Sequence, residues 1–294
     1  MLSCFREREE ATENPISHIP RTQESTVAEW GRDLYEAAPM PDKRLNPRLV
    51  NMAAHLAQKP TDPITQAFDD PADVKAAYRC IENKRVRPVH LRRAFSQKTV
   101  RDATGHRALL AIQDSVTLSF PRAPATEGLG LISDTDIRGL IAHSTLLATL
   151  EGMPIGLVVQ DVWSRGDKRE ETREQRQRLP IEEKESYKWI HGMREARRSF
   201  AGQLPPEQRP GLIHIFDREG DVHEVIEDAV RHGEGCVIRS TQNRRARAED
   251  GRLAGAHPGG ERALVGCHRG ADHAPGRQAR PHGPRGNPRH CAGA

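Results

Sequence analysis

The chain has no apolar run of about eighteen residues, the length a membrane-spanning helix requires, so no span and no membrane partner are expected. Its opening, MLSCFREREE, lacks the apolar centre of a signal peptide. The five cysteines, Cys4, Cys80, Cys236, Cys267 and Cys291, are odd in number and never spaced CxxC, which argues against a disulfide framework or a zinc knuckle. A reducing cytoplasm is the expected location. Gly128-Leu129-Gly130 lacks the full dinucleotide fingerprint and opens no helix, and no phosphate-binding P-loop occurs, so nicotinamide and P-loop chemistry are set aside. Charge bias is slight as well: a formal +4 over 294 residues permits a polyanionic partner without requiring one. That length holds one large or two ordinary domains.

What is present is organised around Leu109 to Leu118, LLAIQDSVTL. Its apolar start is too continuous for a half-exposed strand and reads as a strand covered on both faces, delivering Asp114 to its end. A second such run, GLIHIF from Gly211 to Phe216, ends in Asp217 and opens into a turn and a helix. Two acids leaving the carboxyl ends of buried strands converge at one edge of an α/β sheet, where such sheets place ligands. Paired carboxylates suit Mg²⁺, with Mn²⁺ as an alternative, and phosphodiester cleavage. Equally, aspartate often only marks strand ends and turns. From pattern alone both readings stand.

Residues 1–26 are polar and aperiodic and read as a loose arm. Helices are expected over 28–38, with Trp30 and Leu34 on one face, and from the cap Asn46 and Pro47 through Leu49, Met52, Ala53 and Leu56 to Lys59-Pro60. Further helices start at Asp70-Pro71 and run from Pro88 to Ala103, with Leu91 and Phe95 inward and Arg92, Arg93, Lys98 and Arg101 outward. The module over 27–105 has a basic surface, which solvates helix faces or meets nucleic acid. From 106 the period becomes that of strands. Gly139 to Thr149 and Pro154 to Trp163 read as a hairpin turning at Gly152, and residues 167–178 as an exposed loop or frayed helix. A helix from Pro180 turns Trp189, Met193, Ala196 and Phe200 inward, and a helix from Val222 to His232 precedes a last short strand, CVIRS.

From about Arg245 the chain has only Leu253, Leu264 and Val265 as large aliphatics and no aromatic residue, so 245–294 is expected to be a disordered Gly/Arg/Pro/His-rich tail. That composition also fits a GC-rich gene read out of frame. His268, His273 and His290 near Cys267 and Cys291 have spacings that fit no metal finger.

Seven blocks, RLVNMAAHLAQKP, AAYRCIEN, LLAIQDSVTLSF, HSTLLAT, EKESYKWI, IFDREGDVHEVI and VIRSTQNR, occur in an order and spacing that resemble the cut-and-paste DDE transposases of the insertion-sequence-four family, close to the transposon-five transposase. The resemblance runs from about Trp30 to Arg244. It implies a helical N-terminal domain that binds transposon-end DNA and a ribonuclease-H-like catalytic core, here 106–244 and incomplete. The fold class expected is therefore α/β (α+β), with a mixed-sheet core. Asp114 and Asp217 match the first two catalytic, metal-holding acids. Gly220 replaces the usual alanine, a mild change. Arg239 matches a basic residue near end DNA, and Lys43, Arg44 and Arg48 lie where the N-terminal domain contacts DNA. The family's third acid belongs to a block of Tyr, two residues, Arg, three residues, Glu, six residues and Lys, but no tyrosine follows Tyr187. Glu249 and Glu261 are no substitute.

The expectation is a truncated or frame-disrupted transposase homologue, nucleoid-associated, binding double-stranded DNA at transposon ends and inactive alone. A homodimer or a full-length transposase is the expected protein partner. The alternatives are a non-catalytic end-binding or inhibitory protein, and a core too exposed to accumulate stably.

Overall fold

The computed structural model describes residues 26–121, 126–132, 137–165 and 173–240, together with three short strands further on. The loose arm expected over 1–26 lies outside the described residues except for Thr26. Thr26 caps the first helix, α1 (Val27–Tyr35), in a reciprocal box with Glu29. α2 (Leu45–Gln58), α3 (Ile64–Ala67) and α4 (Pro71–Ile81) complete the helical region.

Asp70 caps α4 as its sequence requires, its side chain accepting from Ala72 N at 2.8 Å. Asn46 does not cap α2. It lies within the helix and is buried, and its Nδ2 donates to the carbonyls of Tyr35, Glu36 and Ala38 at 2.7, 3.2 and 2.9 Å. The amide thus gathers the orphaned carbonyls at the end of α1, a demand stronger than the cap it would have made. Leu34 is buried, but Trp30 is exposed, and in α4 burial falls on Ala77 and Cys80 while Tyr78 and Ile81 face outward.

The helix α5 (Pro88–Asp102) closes the helical series but packs on the sheet. Val100 and Ala103 share a core with Leu109, Ala111, Leu147 and Phe200, and Thr99 Oγ1 donates to Leu157 O at 2.7 Å. Of the basic residues expected outward, Arg92 donates to Gln160 O, Lys98 pairs with Asp33 and Asp102, and Arg101 pairs with Asp33. Arg93 is exposed. Inward burial falls on Ala94, Thr99 and Val100, with Leu91 and Phe95 half-buried.

The sheet contains β1 (Ala108–Ser119), β2 (Gly130–Leu131), β3 (Arg138–Ala148), β4 (Pro154–Trp163), β5 (Gly211–Phe216) and β6 (Gly235–Arg239). β1 is central. On one side it pairs antiparallel with β3, whose outer edge takes β4 and, at its start, β2; on the other it pairs parallel with β5, and β5 parallel with β6. The expected hairpin is β3 and β4, turning at Gly152 with φ +89°. Parallel pairing requires crossovers, and these are α7 (Tyr187–Ala201), after the short α6 (Arg173–Arg178), and α8 (His223–His232). Trp189, Met193, Ala196 and Phe200 of α7 are all buried, as their spacing predicts, although the α-helix starts at Tyr187 and a 3₁₀ turn occupies Ile181–Glu183. Helices α5, α7 and α8 all cover the face that carries Leu109, Ala111, Leu212, Phe216 and Ile238. Between these helices, Asp228 of α8 is paired with Arg194 and Arg197 of α7, and Arg197 also reaches Glu234.

Residues 245–294, read from composition as unstructured, hold β7 (Arg245–Arg247), β8 (Leu253–Gly255) and β9 (Leu264–Cys267) among the described residues. β7 pairs with β8, and β9 adds antiparallel to β6 at the sheet edge. These strands contain the three large aliphatics of the stretch, Leu253, Leu264 and Val265. The rest of 245–294, with Glu249, Glu261, His268, His273, His290 and Cys291, lies outside the described residues.

Candidate functional site

Side chains alternate along β1, so Leu109, Ala111 and Gln113 face the helices while Asp114 faces the opposite side. The strand's burial ends at Gln113, and Asp114 is exposed. The last parallel pair of β1 and β5 is Ile112 with Ile215. Two residues further on each chain come Asp114 and Asp217. Asp217 follows β5 with its backbone still extended, at φ −75° and ψ −170°. Phe216 pairs with Ile238 in turn, which brings Asp217 level with Arg239. Asp114 and Asp217 thus come the same two residues past the last β1–β5 pair, and Asp217 and Arg239 one residue past the last β5–β6 pair, on chains whose paired strands lie about 4.8 Å apart in the hydrogen-bonding direction.

Each acid is steadied through one oxygen. Asp114 Oδ1 accepts from Ser115 N at 2.8 Å, and Asp217 Oδ1 accepts from Glu219 N at 2.8 Å, capping the 3₁₀ turn Arg218–Gly220. Gly220 has a steric role in that turn, since a Cβ there would stand 2.5 Å from Phe216 Cβ. An alanine would need the turn to shift, so the change read as mild has a local consequence. Lys188, over the Trp189 ring, pairs with Glu219 at 3.2 Å, and Ser240 Oγ donates to Asp221 Oδ2 at 3.3 Å.

Behind Asp114 lies a polar cluster that sequence reasoning missed. His143, 1% exposed, places Nδ1 2.9 Å from Ser115 Oγ and Nε2 3.0 Å from Gln113 Oε1, with the Trp189 ring edge-on at 4.7 Å. Burial, with the nearby charges of Lys188 and His191, pulls the imidazole down to about 4, so it is neutral at physiological pH. Gln113 Nε2 and Thr145 Oγ1 are buried without a hydrogen-bond partner among the described residues. The signal was available in principle: Gln113, Ser115, His143 and Thr145 are polar residues in runs otherwise read as apolar.

The basic residues form a second, separate group on the helical region. Lys43, Arg44 and Arg48 lie at and just inside the start of α2, all exposed. Arg44 is held by Asp42 through paired hydrogen bonds at 2.9 to 3.3 Å, and that guanidinium takes the Asp42 carboxyl down to about 2. Lys43 opens onto a groove between α1 and α2 that also includes Arg32, Asn46 and Asn51. Arg239, exposed at the end of β6, is apart from this group.

Among the described residues no group of three or more His, Cys, Asp or Glu is arranged to hold a metal ion. No helix among them is long and apolar enough to cross a membrane. The fold is thus that of a mixed α/β protein with a helical N-terminal region; of the two expected acids, Asp217 directly follows β5, whereas Asp114 lies within β1, which continues to Ser119 rather than ending at the acid. Residues 27–86 match a family model described as transposase DNA-binding, which supports a transposase that binds DNA. The match spans α1 to α4 and stops before α5.

Proposed function

We propose that the chain is a transposase homologue of the insertion-sequence-four type, close to the transposon-five transposase, that binds double-stranded DNA at transposon ends. The observation that carries the reading is the coincidence of the transposase DNA-binding match over 27–86 with two acids that each come two residues after the last pair of the adjacent parallel strands β1 and β5. The strand arrangement, an antiparallel hairpin on one side of β1 and two parallel strands with crossover helices on the other, supports a ribonuclease-H-like core.

The donor set fits Mg²⁺ or Mn²⁺. Both carboxylates are exposed, each uses one oxygen on a backbone N–H, and hard cations of this size take one or two carboxylates and complete their shell with water and phosphate. Asp114 and Asp217 would hold the ion, which when bound supplies Lewis-acid assistance to phosphodiester cleavage and strand transfer. Arg239, exposed at the end of β6, would meet a phosphate, and Lys43 and Arg48, also exposed, would offer charge to the DNA backbone. A third carboxylate does not stand with the pair among the described residues, so this chain is expected to bind ends and to cleave little. The same observation favours a second reading, a non-catalytic end-binding protein that blocks or joins a full-length transposase.

The test is a mobility-shift titration with duplex DNA carrying the element's terminal repeats. Affinity should fall steeply with salt, and Lys43→Ala with Arg48→Ala should reduce the slope by about two, roughly one for each phosphate no longer neutralised. Supercoiled plasmid carrying the ends should remain intact in Mg²⁺. Absence of any shift at low salt would overturn DNA binding, and robust nicking lost in Asp114→Ala would overturn the expected inactivity.

A further inference from the structure

We propose that His143 is a positioning residue for Asp114, gripping the strand from behind the carboxylate; this rests on the reading of Asp114 and Asp217 as a cation-holding pair. Gln113 and Ser115 flank Asp114 in the chain and, by strand alternation, point to the opposite face. His143 stands across from Ser115 in the antiparallel register and bonds both flanking side chains, one through each ring nitrogen. A proton on Nε2 satisfies the arrangement, with the ring donating to Gln113 Oε1 and accepting from the Ser115 hydroxyl. The two residues are two apart on a strand, so one rigid ring fixes the stretch of backbone that carries the Asp114 Cα.

The carboxylate is tied to the same stretch, because Asp114 Oδ1 accepts from Ser115 N at 2.8 Å. The ring itself has little freedom. It is buried, Trp189 stands edge-on to it, and α7 comes so close at Gly192 that a Cβ there would collide with Gln113 Oε1. The arrangement orients a cation ligand through residues that do not touch the cation, and such outer partners commonly govern metal affinity.

The test is Mn²⁺ binding to the full chain by titration calorimetry, with the urea midpoint of each variant measured in parallel. Asp114→Asn should abolish binding. His143→Leu should weaken it by about tenfold or more. His143→Gln, whose amide can accept from Ser115 and donate to Gln113, should recover most of the loss. If His143→Leu does not fold, Ser115→Ala carries the test, and it should weaken Mn²⁺ binding in a chain that still unfolds cooperatively, its urea midpoint lowered because His143 Nδ1 is left without a donor. Asp114-dependent binding that is unchanged in His143→Leu or Ser115→Ala, or lost equally in His143→Gln, would overturn the positioning role alone. Wild-type binding that is absent or indifferent to Asp114→Asn would overturn the cation reading and the positioning role with it.

Discussion

His143 and Asp228 are buried ionisable residues whose contributions to stability occupy different pH ranges. Burial first, then Lys188 and His191, lowers His143 from 6.5 to about 4. The unfolded chain therefore takes up a proton near pH 6.5 that the folded chain refuses until about pH 4. The resulting stabilisation, about 3 kcal/mol, is complete above 6.5 and declines as pH falls through that interval. For Asp228, burial opposes ionisation, but Arg197 and Arg194 outweigh it and hold the carboxyl below its usual value of 3.8. Its contribution is present above that value and is lost only in stronger acid. Urea unfolding should show stability falling between pH 6.5 and 4 in the wild type, with the fall flattened in His143→Gln. An unchanged profile in that variant would place the titration elsewhere. Neither effect was legible in the sequence, because a histidine in a strand gives no sign of which groups surround it.

At the level of elements, the signals that succeeded were those with a single physical cause. The glycine turn between β3 and β4 and Asp70-Pro71 at α4 each point to one local structure, and each is found there; the apolar start of β1 forms its strand but lies under helices on one face, with Leu110 and Ile112 half-buried on the other rather than covered as expected. Asn46-Pro47 has the same capping chemistry, yet the amide serves the end of α1 instead. Residue type alone cannot distinguish a cap from a bracket between helices, since the carbonyls it meets are eight to eleven positions upstream. Asn46→Leu should therefore destabilise the chain by about 1–3 kcal/mol, by leaving several carbonyls at the α1 end without their donor. Asn46→Asp, an acceptor placed among acceptors, should cost at least as much in the same denaturation assay. What the sequence did show is that Asp114 and Asp217 each follow an apolar run, and the parallel pairing of β1 with β5 sets those two runs side by side.

Across the whole molecule the sheet is unequal on its two faces. One lies under α5, α7 and α8, while the other presents Leu110, Ile112, Ile213, Ile215 and Val237 half-buried around the acids and leaves Val116, Leu118 and Val162 exposed. Such a surface favours self-association. Replacing Val116 and Leu118 together by threonine should lower light scattering in concentrated solution without lowering the melting temperature; unchanged scattering would show that another surface drives it. The register of β1 and β5 has a consequence of its own. The interval between Asp114 and Asp217 is fixed by main-chain pairing, so the sheet acts as a ruler whose smallest division is one residue. Inserting a single residue between Ile215 and Asp217 would advance the second acid by about 3.3 Å and turn it toward the opposite face. Evolution can lengthen the hundred or so residues of chain between these strands freely, but it cannot adjust the acids by fractions of a step.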